Sequence, residues 1–184
     1  MSSSLKIGIA GLGTVGSGLV SLIMERKKNL EIRAGRAIEI VAISARNKKA
    51  DRGFEISSFN WHDNPLELAN DQNIDVVVEL IGGSEGIAKD LVLASIENGK
   101  HVVTANKALV AHYGTSIANA AEAAGVSFSY EAAVAGGIPI IKSLREGLSG
   151  NELNRIYGVL NGTCNYILTT MEEQGREFDD ILAE

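Results

Sequence analysis

The chain has 184 residues, 45% hydrophobic and 22% charged, with a formal net charge of −6. That balance belongs to a folded globular protein with room for one full domain and part of another. The acidic charge argues against non-specific binding to nucleic acid or to an anionic membrane surface, and no apolar run approaches membrane-spanning length. The N-terminus, MSSSLKIGIAG, lacks a basic region followed by a separate apolar core and cleavage site, so no signal peptide is read. Cys164 is the one cysteine, which excludes an intramolecular disulfide and fits a cytoplasmic location.

The first predicted element is a strand, the apolar run 5–10. It leads into Gly11-Leu12-Gly13-Thr14-Val15-Gly16, and a helix is expected from Ser17 to about Asn29. A strand, a G-x-G-x-x-G turn and a helix form the dinucleotide-binding fingerprint. The first glycine makes the sharp turn, the second leaves room for a pyrophosphate, and the third lets helix pack on strand. The helix start offers uncommitted N–H groups to the phosphates. A glycine-rich turn that binds nothing is the alternative, and the flanking strand and helix argue against it.

A second strand is predicted over 37–44, ending at Arg46 with Lys48 and Lys49 close behind. In this kind of fold that position reads the adenosine ribose, where a carboxylate selects NAD. The nearby acid, Glu39, lies too early in the strand. Arg46 can stack on adenine and pair with a 2′-phosphate, which favours NADP. Arg46 permits NAD as well, and a solvated basic loop is the bland reading.

Next come a short helix over 65–70, strands over 74–81, 101–104 and 126–130, and helices over 86–98 and 107–124. Strands separated by helices predict an α/β fold with a doubly wound parallel sheet, the NAD(P)-binding Rossmann type. Ligands of such sheets lie beyond the carboxyl ends of the strands. Those ends carry Gly82 and Gly83, then Thr104 and Asn106, then Tyr130 and Glu131. Lys107 stands in the first turn of a helix, where its charge opposes the macrodipole. Such a placement suits polarising a carbonyl or relaying a proton, and partial burial would lower its pKa. An ordinary surface lysine is the competing reading.

Near residue 131 the pattern changes to a small-residue loop, followed by an expected helix over 140–148, a strand over 153–160 and a helix over 165–174. The division reads as a cofactor-binding domain, 1–135, and the beginning of an α+β substrate-binding and dimerisation domain, 136–184. The end, FDDILAE, carries no Gly or Pro stop and reads as the middle of a helix, as in a fragment or a truncated gene. Cys164 is expected to be a buried small residue rather than a nucleophile, and the three histidines show no metal-ligand spacing.

The motifs GLGTVG (11–16), VVELIGG (77–83), GKHVVTANKALVA (99–111), YEAAVAGGIPII (130–141) and GVLNGTCNYILTTM (158–171), in this order, resemble the N-terminal part of a homoserine dehydrogenase. The resemblance covers essentially the whole chain. It implies NAD(P)-dependent interconversion of L-homoserine and L-aspartate 4-semialdehyde, in the biosynthesis of threonine, methionine and isoleucine. It places Thr14 and Val15 under the cofactor, Arg46 at the 2′-phosphate, and Lys107 between nicotinamide and substrate. Gly162 and Thr163 match a loop at substrate and cofactor. Glu131, with the carbonyls of Val134, Gly136 and Ile138, matches a sodium site, an oxygen cage suited to a hard cation. On the residues alone, the bland alternative is that Glu131 fixes the glycine-rich turn by hydrogen bonds. The resemblance also implies a homodimer for the full-length form. A glutamate, an aspartate and a second lysine of the family pattern follow the point where this chain ends. An NADP-binding module without turnover is therefore the alternative.

Overall fold

Alternate residues of the first strand point to opposite faces, and the two sets differ in size. In β1 (Leu5–Ala10), Ile7 and Ile9 pack with Val20 and Ile23 of α1 (Thr14–Ala34), while Ala10 packs with Leu68, Ala69 and Leu91. A Cβ on Gly8 would lie 2.6 Å from Ile74 Cδ1, so small residues on this face let the chain that follows lie close. The computed structural model describes residues 3–158 and 162–184.

β2 (Ile38–Ser44), β3 (Asn60–His62), β4 (Val76–Glu79), β5 (His101–Thr104) and β6 (Phe128–Ser129) complete one parallel sheet. The strand order is β3-β2-β1-β4-β5-β6, the doubly wound Rossmann arrangement, with its switch point between β1 and β4. α1 covers one face. α2 (Leu66–Asn70), α3 (Ile87–Glu97) and α4 (Lys107–Ala123) supply Leu68, Leu91, Val92, Ile96, Leu109 and Ile117 to two further apolar clusters. Each large aliphatic side chain so buried contributes about 1.5–3 kcal/mol.

The expected fold class is therefore present, with differences in detail. α1 starts at Thr14 and runs to Ala34, past the predicted end near Asn29. β3 was not predicted: three residues are too few to show a period, although Phe59 and Trp61 alternate with Asn60 and His62.

The chain divides into two compact units, Met1–Lys142 and Ser143–Glu184. Within the first, Glu131 holds the amides of Ile141 and Lys142. Instead of one helix over 140–148 there is a short α5 (Ile140–Lys142), and a π-type turn (Ser143–Gly147) opens the second unit. No strand forms over the described part of the predicted 153–160 segment, 153–158. The second unit contains no strand among its described residues, so the segment finds no ladder partner within it. Val159 and Leu160 lie outside the described residues. α6 (Gly162–Gln174) buries Ile167 and Thr170, and α7 (Phe178–Leu182) buries Ile181. Tyr157 is 88% exposed.

Candidate functional site

The three fingerprint glycines separate into two that the fold requires and one that it does not. Gly11 has φ +96°, and a Cβ there would lie 2.6 Å from the Leu80 carbonyl carbon at the end of β4. A Cβ on Gly16 would press on the Gly11 carbonyl group. Above Gly13 the space is open, with nothing within 4 Å of an added Cβ. That is a cradle a side chain would fill. The Ser17 amide donates to the Gly13 carbonyl at 2.9 Å, so the amides of Thr14, Val15 and Gly16 precede the helical ladder and point past the helix end. No acidic residue stands in that first turn. An anion is the natural occupant.

On the β2 side of the turn the surface is basic. Arg46 is exposed in the loop that follows Ser44, and Lys48 lies over the Trp61 ring at 5.5 Å. Arg52 also approaches Trp61 and reaches back to the Leu12 carbonyl at 3.3 Å. Glu39 lies early in β2, away from the carboxyl ends of the strands. Ser44 and His62 are partners in the β2–β3 register. Ser44 Oγ and His62 Nε2 are buried and have no hydrogen-bond partner among the described residues.

On the β4 and β5 side, a cavity of about 130 Å³ is lined by Val15, Leu80, Ile81, Gly82, Ala105 and Asn106. Its walls are hydrogen-bonded. Glu79 is fully buried; its Oε1 accepts from the Ile81 and Gly82 amides at 2.7 and 3.1 Å, and its Oε2 accepts from the Thr104 hydroxyl at 2.6 Å. Thr104 Oγ1 in turn accepts from the Asn106 amide at 3.0 Å. Asn106 donates from Nδ2 to the Gly83 carbonyl at 2.6 Å and caps α4 by accepting from the Leu109 amide at 3.1 Å. Lys107 is the first residue of α4 and is exposed, rather than partly buried. A larger groove, about 560 Å³, lies along the amino-terminal half of β2 and includes Glu39 and Lys27. It is remote from the strand ends that carry these groups.

Gly11, Gly13, Thr14, Val15, Gly16, Arg46, Gly82, Thr104 and Lys107 thus share the carboxyl-end rim of one sheet. Glu131, Val134, Gly136 and Ile138 follow β6 in a tight turn, with Ala135, Gly136 and Gly137 all at positive φ. Glu131 accepts from the Ile141 amide at 3.0 Å and the Lys142 amide at 2.8 Å. Gly162 and Thr163 begin α6 in the second unit, and both are exposed. Cys164 is exposed as well, not buried as its apolar neighbours suggested. Sequence reasoning passed over Glu79 and Arg52. The signal for Glu79 was a lone acid inside the apolar run of IDVVVELI; Arg52 gave none, because its role depends on a long-range reach.

Residues 11–131 match the family described as "Homoserine dehydrogenase, NAD binding domain", and residues 139–184 match the family described as "Homoserine dehydrogenase". The chain is 51% identical to a homoserine dehydrogenase of Pseudomonas aeruginosa over 182 residues, covering 98% of this chain and 41% of that protein. With the Neisseria gonorrhoeae enzyme the identity is 48% over 180 residues, with the same coverage, 98% and 41%. The crystal structure of a homoserine dehydrogenase from Thiobacillus denitrificans superposes with a TM-score of 0.81 at 47% identity, covering 98% of this chain and 42% of that one. A hyperthermophilic archaeal homoserine dehydrogenase in complex with NADPH gives a TM-score of 0.77 at 25% identity, covering 98% and 60%. The chain spans about two fifths of the length of the curated relatives it matches. On these matches, together with the sheet order and the fingerprint geometry, the chain belongs to the homoserine dehydrogenase family.

Proposed function

We propose that this chain is the NADP-binding part, with the beginning of the substrate-binding part, of a homoserine dehydrogenase. The domain reading is 1–135 for the first and 136–184 for the second. The observation that carries it is the open space above Gly13 at a helix start, between two glycines that the backbone itself requires. In this reading the amides of Thr14, Val15 and Gly16 hold the pyrophosphate. Arg46 pairs with the 2′-phosphate, which makes NADP the preferred form and leaves NAD usable. Gly82 borders the nicotinamide end of the rim, with Thr104 fully buried behind it.

Bound NADP would supply the hydride acceptor or donor for the interconversion of L-homoserine and L-aspartate 4-semialdehyde. Lys107, exposed at the first position of α4, donates a hydrogen bond to the substrate oxygen and gives it a proton as the carbonyl is reduced; in the oxidation the hydroxyl proton returns to the Lys107 amine as the carbonyl forms. Gly162 and Thr163 border the substrate. The full-length protein is proposed to be a cytoplasmic homodimer acting in threonine, methionine and isoleucine biosynthesis. Among the described residues no helix is long and apolar enough to cross a membrane. Neither a membrane nor a nucleic acid is proposed as a partner.

Glu131, with the carbonyls of Val134, Gly136 and Ile138, is the proposed sodium site. The donor set fits a hard cation. The two amide bonds to Glu131 leave each carboxylate oxygen with further acceptor capacity. Melting in sodium against choline chloride at equal ionic strength tests it: a higher midpoint in sodium, lost in Glu131→Gln, is expected, and equal midpoints would remove the site.

The central test is NADP⁺ reduction by the folded chain with L-homoserine, run beside NADPH binding. Turnover establishes the dehydrogenase. Binding without turnover selects the second reading, a cofactor-binding module without activity.

A further inference from the structure

A carboxylate with no exposed surface is costly to bury unless it is well hydrogen-bonded, and a β4 residue between Val78 and Leu80 would ordinarily be aliphatic. Glu79 departs from that rule with donors on both sides. Its Oε1 binds the two amides that begin the Gly82–Gly83 bend, and its Oε2 binds Thr104 at the same register on β5. From Thr104 the bonding continues to the Asn106 amide, and Asn106 ties α4 to the Gly83 carbonyl. Both walls of the 130 Å³ cavity therefore hang from one side chain. The outer end of the same loop has its own anchor. Glu85 accepts from Tyr113 and from Lys89, and Lys89 lies 3.6 Å above the Tyr113 ring. The inner end has Glu79.

We propose that Glu79 is a positioning residue for the cofactor site. It sets the spacing between the Ile81–Gly82 wall and the Asn106–Lys107 wall through Thr104, without itself touching the reactants. The proposal rests on the cofactor reading above. It explains why a charge is buried here: a single acceptor with two oxygens can hold two backbone amides and a hydroxyl at once, which no aliphatic side chain can do. It also makes Thr104 a relay whose hydroxyl is used in both directions.

The test is NADPH binding, read from cofactor fluorescence, by the 184-residue chain and its Glu79→Gln, Glu79→Ala and Thr104→Val variants. Melting and amide exchange at Gly82 and Leu109 are measured alongside. Glutamine keeps the oxygen facing the two amides and can donate to Thr104, so its affinity is expected within about threefold of wild type. Valine keeps the shape of Thr104 and removes the relay. It is expected to stay folded, to bind NADPH about tenfold more weakly, and to exchange faster at Gly82 and Leu109. If Glu79→Ala fails to fold, the glutamine and valine variants decide alone. Folded Thr104→Val binding NADPH like wild type would overturn the proposal while leaving the cofactor reading intact. A wild-type chain that binds no nicotinamide nucleotide would overturn the cofactor reading, and this proposal with it.

Discussion

Arg52 donates from Nε to the Leu12 carbonyl at 3.3 Å, forty positions away in the chain. The bond ties the loop after β2 to the fingerprint turn, so the basic surface and the helix start are held as one piece. Arg52 also bonds the Asn47 and Ala50 carbonyls inside that loop. Arg46, which follows Ser44 directly after one alanine, is presented by the same loop.

Two substitutions should therefore act differently on the cofactor. Arg46→Ala is expected to weaken NADPH binding by about tenfold and leave NADH binding nearly unchanged, because it removes a charge-assisted bond to the phosphate alone. Arg52→Ala is expected to weaken both, since it loosens the loop and the turn together. Titrating each variant with both nucleotides separates the two, and equal losses for Arg46→Ala would refute its assignment.

The glycine roles predict a separation of stability from binding. Gly16→Ala places a Cβ against the Gly11 carbonyl group and should cost about 3 kcal/mol, a fall in melting temperature on the order of 10 °C. Gly13→Ala meets nothing within 4 Å, so melting should hardly change while NADPH affinity falls by at least about tenfold. Thermal melts with and without nucleotide check both; unimpaired binding by Gly13→Ala would place the pyrophosphate elsewhere.

Asn106 caps α4 and tethers Gly83 at once. Asn106→Ala should destabilise by about 1–2 kcal/mol from the lost cap, and Asn106→Ser should recover part of this while leaving the Gly83 bond broken. Urea unfolding of the pair measures the cap. A full recovery of nucleotide affinity by serine would show that the tether is dispensable.

Lys100 is 5% exposed, and its Nζ donates to the Asp71 and Ile74 carbonyls at 2.6 and 2.8 Å. Burial lowers its pKa from the usual 10.5, with Asp71 and Asp75 opposing the shift. In the window below 10.5 the unfolded chain still holds the proton that the native chain has released. Stability from this group therefore rises with pH across that window. Lys100→Met should be less stable throughout, because two carbonyls lose their donor, and its stability should rise less steeply over the same range. Parallel slopes in urea titrations of the two proteins would contradict this.

Most of the first unit was legible in the sequence because it depends on local patterns. His101–Thr104 alternates exposed and buried residues, and the apolar run ending at Glu79 lies buried along its length. The fingerprint identified its own strand and helix. What escaped depended on contacts distant in sequence. β3 exists because Trp61 finds Ile43 across the ladder, and the Glu79–Thr104–Asn106 chain appears only once β4 and β5 are in register. The segment 153–158 shows the reverse case, an apolar pattern that forms no strand. Cys164 shows another: apolar neighbours in sequence place a residue on a helix, not on its buried side.

Trp61 is the single tryptophan of the chain. Its indole donates to Asp63 at 2.7 Å, and Lys48 and Arg52 lie over its ring at 5.5 and 5.9 Å. The protein thus carries one native optical gauge, set where the basic loop meets the sheet edge. Changes in its emission will report movement of the Arg52 loop itself, undiluted by any second indole and without a label.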